Sequence, residues 1–208
     1  MANAIITARG VGLDLGGVPV LRGVDLTVDS GEIVAVMGEN GVGKSTLLRC
    51  LAGMHPLPRG EIDVFGGPSA DRLDFWQRVV RVGDEPAWYP GLSVREHLEL
   101  MRAVQKDARL TVEETLDTFE LGARAGLSPL SLSTGQRQRL SLAMALLRPS
   151  RLLLLDEPER GLDAGFRKRL AVILRGYAAE GGTVVMATHD ARLAEIMGAR
   201  VITLRVAS

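Results

Sequence analysis

Residues 32–52 read EIVAVMGENGVGKSTLLRCLA. The run IVAVM (33–37) is apolar without alternation, the pattern of a strand covered on both faces, and STLLRCLA (45–52) has the spacing of a helix. Between them GENGVGKST, formed by Gly38, Glu39, Asn40, Gly41, Val42, Gly43, Lys44, Ser45 and Thr46, fits the spacing G-x-x-x-x-G-K-[ST]. Gly38, Gly41 and Gly43 let backbone N–H groups turn toward an anion, and the helix adds the uncapped amides of its first turn. Lys44 then neutralises the β and γ oxygens of a nucleoside triphosphate, and Ser45 offers its hydroxyl to Mg²⁺. A glycine-rich turn without a ligand is the alternative; the strand before and the helix after argue for a phosphate cradle.

Strands of the same kind recur as LLLL (152–155) and TVVMAT (183–188), with helical patterns between them, so a parallel core sheet is expected. The first thirty residues and GEIDVFG (60–66) differ. There GVPVLRGVDLTV (17–28) alternates in part between glycine-rich turns, as an antiparallel sheet does. Residues 86–147 read as mostly helical, and three helix starts carry capping boxes: Ser93 with Glu96, Thr111 with Glu114, and Ser133 with Gln136. Gly53 and Gly198 follow helices as stops. The expected fold is α/β, a P-loop NTPase core with a mainly parallel sheet, an N-terminal antiparallel β portion and an inserted helical lobe. Residues 1–208 form a single domain, with the core at about 1–85 and 148–208 and the lobe at 86–147.

Composition narrows the partners. The chain has 208 residues, 46% of them hydrophobic, enough for one sizeable core. Twenty-five basic side chains balance 25 acidic ones, so no long-range field draws the molecule to nucleic acid, and no nucleic acid partner is expected. The single cysteine, Cys50, precludes an intrachain disulfide, suits a reducing compartment and lies in an apolar helical run, where a buried, inert thiol is expected. Neither a secretory signal nor an apolar stretch of membrane-spanning length occurs, so the chain is read as soluble by itself.

Three further stretches carry chemistry. In RLLLLDEPERGLD (151–163) a buried strand delivers Asp156 and Glu157 to its carboxyl end, the edge where open α/β sheets bind ligands. Asp156 suits the Mg²⁺ shell and Glu157 suits a general base that takes a proton from attacking water. TVVMATHD (183–190) ends another core strand in His189, placed on the same edge for a γ-phosphate contact. LSTGQ (132–136) opens a second helix whose first-turn amides make an anion site, although no second P-loop lysine accompanies it.

GENGVGKST, LSTGQ, LLLLDEP, GLD and ATHD occur in an order and spacing that resemble the nucleotide-binding subunit of ATP-binding cassette (ABC) transporters over nearly the full chain. The resemblance implies an ATPase using Mg²⁺ with ATP, in which Lys44, Ser45, Asp156, Glu157 and His189 hold the roles above. It further implies that Asp163 sits in a loop crossing between subunits. Leu132, Ser133, Thr134, Gly135 and Gln136 would form the signature that caps nucleotide on the opposite subunit. The implied partners are a second copy or a homologous cassette packed head to tail, and an integral membrane transport subunit, at the cytoplasmic face of the cell membrane.

The pattern is not followed everywhere. Leu15 stands where the family commonly stacks an aromatic residue on adenine, and Asp84 stands in place of the family's metal-sensing glutamine. Aspartate can ligate Mg²⁺ but, when ionised, has no N–H to donate. Glu159 and Arg160 precede GLD where small residues are commoner, which suggests an altered subunit seam. Residues 84–91, with Trp88 and Tyr89 as anchors, are the expected docking surface for the membrane subunit, with packing of the helical lobe as the alternative role of both aromatics. The short length suggests an exporter-type system. A soluble ABC ATPase, or a regulatory module that binds ATP with little turnover, is the alternative.

Overall fold

The computed structural model describes residues 4–69, 72–83, 88–105 and 108–205. Two sheets organise them. The first is antiparallel, in the order β2 (Val18–Asp29), β1 (Ala4–Leu15), β4 (Arg59–Val64) and β5 (Gly67–Pro68). The β1–β2 hairpin turns on Gly16 and Gly17, both at positive φ, which suits the twist of the paired strands.

The second sheet is parallel at every pairing, in the order β6 (Val79–Val82), β7 (Leu152–Asp156), β8 (Thr183–Ala187), β3 (Ile33–Met37) and β9 (Arg200–Thr203). Its three central strands are those expected from unbroken apolar runs. The edges β6 and β9 are four residues long; Arg81 interrupts the first and Arg200 opens the second.

Because side chains alternate along each strand, the parallel sheet feeds two apolar clusters. Val34, Val36, Leu152, Leu154, Val185 and Ala187 face α1 (Lys44–Leu51) and the antiparallel sheet. The alternate residues Ala35, Leu153, Leu155, Val184 and Met186 pack with α3 (Val94–Val104), α4 (Val112–Thr118), α5 (Thr134–Leu147), α6 (Ala164–Ala179) and α7 (Ala191–Met197). A short helix, α2 (Leu73–Arg78), leads into β6.

The three capping boxes form as their sequences require, with both reciprocal hydrogen bonds present at Ser93, Thr111 and Ser133. Gly198 ends α7 in the left-handed conformation. Cys50 is fully buried on α1, and burial pushes its thiol up to about 11. None of the helices among the described residues is long and apolar enough to cross a membrane.

Candidate nucleotide site

Strand register sets the site. Ala187 of β8 pairs with Val36 of β3 on one side and with Asp156 of β7 on the other. The chain leaves these strands at one level of the sheet, so the 38–43 loop, Glu157 and His189 emerge side by side at its carboxyl edge.

The loop closes tightly against its surroundings. A Cβ at Gly38 would lie 2.7 Å from the Leu204 carbonyl oxygen, and one at Gly43 would lie 2.9 Å from the Val20 carbonyl oxygen. Both residues also have positive φ, so glycine is required there on two counts. Glu39, Asn40 and Gly41 are exposed at the rim, while Val42 and Lys44 are buried and Ser45 and Thr46 are half-buried. Lys44 Nζ donates to the carbonyls of Gly38 and Glu39 at 2.8 and 2.9 Å, folding its charge into the loop.

Ser45 at the start of α1 reaches the end of β7, where its hydroxyl donates to Asp156 Oδ1 at 2.8 Å. Asp156 Oδ2 faces Arg81 Nη2 at 3.4 Å, and the aspartate side chain is 1% exposed. The serine hydroxyl and the carboxylate are hard oxygen donors held together beside a phosphate cradle, a donor set that fits Mg²⁺. Asp84 lies outside the described residues.

Glu157 adopts φ 47°, a left-handed backbone that costs a non-glycine residue about 1–3 kcal/mol and concentrates at functional sites. Its N–H donates to Ala187 O at 2.9 Å, and Gln138 Nε2 donates to Pro158 O at 3.2 Å, which ties this turn to β8 and α5. His189 Nδ1 lies 3.7 Å from Glu157 Oε1 and 3.6 Å from Glu159 Oε1. Glu159 corrects the expectation of a seam residue, because it is 1% exposed and folds inward under the end of β8.

The second helix end expected to bind an anion is the start of α5. Leu132 is buried, Ser133 and Thr134 are exposed, and Gly135 and Gln136 are half-buried. Gly135 packs against Gly161, whose carbonyl oxygen a Cβ at 135 would overlap. Asp163, two residues on, caps α6 by accepting from Phe166 N at 2.9 Å and accepts from Arg139 Nη2 at 2.7 Å. These bonds, the Phe166 amide foremost, hold its carboxyl below the usual range.

Leu15 stands 40% exposed at the tip of the β1–β2 hairpin. Trp88 is half-buried against the helical cluster and meets His97 edge-on at 5.7 Å, whereas Tyr89 is 55% exposed. His97 is fully buried and accepts from Tyr89 N at 3.0 Å while its Nδ1 lies 2.8 Å from Ser93 O, so the ring pins this segment to α3. With Val80, Arg81, Val82, Gly83, Met101 and Met144, Trp88 lines a cavity of about 270 Å³ between β6, α3 and α5.

Arg81, Gln138, Thr188 and Glu159 were not identified from sequence as parts of the site. A charged residue inside an apolar strand was the available signal for Arg81, and the third acid of DEPE was that for Glu159.

The family model described as ABC transporter matches residues 21–160. A Streptomyces avermitilis protein described as an ABC transporter ATP-binding protein is 42% identical over 98% of this chain, which spans 37% of that relative's length. The cytochrome c biogenesis ATP-binding export protein CcmA of Mesorhizobium japonicum is 39% identical, over 88% of this chain and 91% of its own. The Fe(3+) ions import ATP-binding protein FbpC of S. avermitilis is 38% identical, over 97% of this chain and 60% of its own. Among solved structures, the dimeric post-hydrolysis state of the ATP-binding cassette MJ0796 bound to ADP and Pi superposes with a TM-score of 0.83 at 26% identity, covering 96% of this chain and 94% of that one. With a family match over most of its length and relatives of about 40% identity over nearly the whole chain, the chain belongs to the ABC transporter family as a nucleotide-binding unit.

Proposed function

We propose that the chain is the ATP-hydrolysing motor of a transporter, working as a head-to-tail pair of cassettes on a separate membrane subunit at the cytoplasmic face. The observation that carries this is the Ser45–Asp156 hydrogen bond at 2.8 Å, which locks the phosphate loop to the acid strand with Glu157 next in line.

In this reading the loop amides and the first turn of α1 take up the β and γ phosphates. Lys44 Nζ exchanges the carbonyls of Gly38 and Glu39 for phosphate oxygens. Ser45 and Asp156 would hold Mg²⁺, which would supply charge neutralisation at the phosphates. Glu157 accepts a proton from the attacking water as the new oxygen–phosphorus bond forms and the bond to the ADP oxygen breaks, and His189 steadies the γ-phosphate. Leu132 to Gln136 close over the nucleotide of the opposite cassette. Docking on the membrane subunit falls at the cavity lined by Trp88, with the exposed Tyr89 next in sequence, so closure of the pair moves that subunit. Leu15 offers adenine an apolar contact in place of an aromatic stack. An export role is supported by the match to CcmA over nearly the length of both chains.

Glu157→Gln tests the assignment. It should retain ATP binding, lower steady-state phosphate release by about 100-fold or more, and accumulate an ATP-bound dimer visible by size. Hydrolysis at the unmodified rate would reject Glu157 as the base. The same assay on the unmodified chain separates a motor from a module that binds ATP without turnover.

A further inference from the structure

Arg81 faces two sites at once. Its Nη2 donates to Asp156 Oδ2 at 3.4 Å, while Ser45 donates to Oδ1 at 2.8 Å, and the same arginine lines the cavity beside Trp88. A contact of 3.4 Å is at the long end for a hydrogen bond and is readily given up. Nε is buried without a hydrogen-bond partner, so this guanidinium, on a side chain only 14% exposed, is answered in part. Gly83 keeps its seat open, since a Cβ there would overlap Nη1. Arg148 is the second cation of the cavity wall; it donates to Trp76 O at 2.5 Å and pairs with no carboxylate among the described residues. No acidic side chain lines the cavity among those residues either. With the cavity empty of a partner, Arg148 repels Arg81 and Asp156 attracts it, so the guanidinium rests on the carboxylate that Mg²⁺ would need.

We propose that Arg81 is a relay between this cavity and Asp156. A carboxylate brought into the cavity by the membrane subunit draws the guanidinium toward itself and loosens its hold on Oδ2, so that nucleotide with Mg²⁺ binds more tightly. The partner's docking segment is therefore apolar, to suit Trp88, Met101 and Met144, and carries an acidic side chain to meet Arg81 and Arg148. Such coupling is reciprocal, and nucleotide with Mg²⁺ strengthens docking by the same factor. The inference rests on docking at the cavity and on Asp156 as a holder of Mg²⁺.

The test places a carboxylate in the cavity wall of the full chain. The readout, by calorimetry, is the ratio of the Kd for the non-hydrolysable ATP analogue AMP-PNP in EDTA to its Kd in saturating Mg²⁺. Met144→Glu should raise this ratio about 5-fold or more, and Met144→Gln should leave it unchanged. Arg81→Met, which removes the competing cation, should raise it as well. Adding Met144→Glu to Arg81→Met should then bring no further gain, because the relay is gone. Met101→Glu repeats the measurement from α3 if Met144→Glu folds poorly. An unchanged ratio in the Glu variants, or an equal gain from Met144→Glu with and without Arg81, overturns the relay. A helical peptide of Leu and Ala with one Glu should act on the wild type as Met144→Glu does, and its Gln counterpart should not. A Glu peptide without effect, where Met144→Glu raises the ratio, rejects docking at the cavity and leaves the relay standing. If Asp156→Asn keeps the wild-type ratio, it is the reading of Asp156 as a metal holder that fails.

Discussion

Asp156 has partners of opposite kinds, a hydroxyl that donates to one oxygen and a guanidinium that faces the other. A carboxylate buried to this degree needs its charge answered before any metal arrives, and Arg81 does so from the neighbouring strand. Arg81→Met keeps the apolar stem and removes the cation. The nucleotide-free chain should lose about 3 kcal/mol, the lower end for breaking a buried pair, because the contact is long and the arginine keeps some access to water. That corresponds to a melting temperature lower by about 6–12 °C. Saturating Mg²⁺ and ATP should recover part of the loss by supplying positive charge at the same carboxylate. Equal melting of both proteins without nucleotide would show that Arg81 is not the counter-ion. The gathering of Lys44, Ser45, Asp156, Glu157 and His189 at one edge of the sheet was legible in the sequence because each sits at a fixed offset from a strand end or within a spaced motif. Arg81 and Glu159 were not, because their partners lie 75 and 29 positions away and no local pattern announces the pairing.

Helix α5 couples two loops through its first turn. Its capping box holds Ser133 and Gln136 together, Gly135 touches Gly161, and Arg139 bridges Glu120 and Asp163 while lying over the Phe166 ring at 3.9 Å. The cap and the glycine contact have separable consequences. Ser133→Ala removes one cap and should cost about 1 kcal/mol, leaving the loop at 160–162 in place. Gly135→Ala inserts a methyl against a carbonyl of that loop and should cost about 1–3 kcal/mol as overpacking, with altered amide exchange from Arg160 to Asp163. Chemical denaturation and hydrogen exchange measure both, and an exchange pattern in Gly135→Ala identical to wild type would mean that the helix and the loop are not coupled there. Elements with a strong local signature were legible at this scale: three capping boxes, three unbroken apolar strands and the hairpin glycines. β6 and β9 escaped because short edge strands, exposed in part and interrupted by arginine, gain their conformation from the neighbour they pair with.

The proposed function draws on two helix ends of the described residues, at α1 and α5, but the sequence has one P-loop lysine and one Asp156–Glu157 pair. Ser133 and Thr134 are exposed at the mouth of α5, open to a second molecule. If the signature completes the opposite subunit's site, two kinds of lesion can be sorted by mixing. Lys44→Ala removes the phosphate cation and Ser133→Arg blocks the α5 mouth, and each chain should be inactive alone. A mixed dimer of composite sites then gathers both lesions in one site and leaves the other wholly wild type. With random pairing half of the dimers are mixed, so hydrolysis should return to about a quarter of the wild-type rate if the two sites act independently, and to less if they are coupled. Nucleotide-driven dimerisation is scored alongside phosphate release, since one intact site can close the pair without turning over. If each chain instead completes its own site, no chain in the mixture is intact and neither signal recovers. Persistent inactivity, with mixed dimers shown to form, would therefore rule out the head-to-tail arrangement while leaving the roles of Lys44 and Glu157 within one chain untouched.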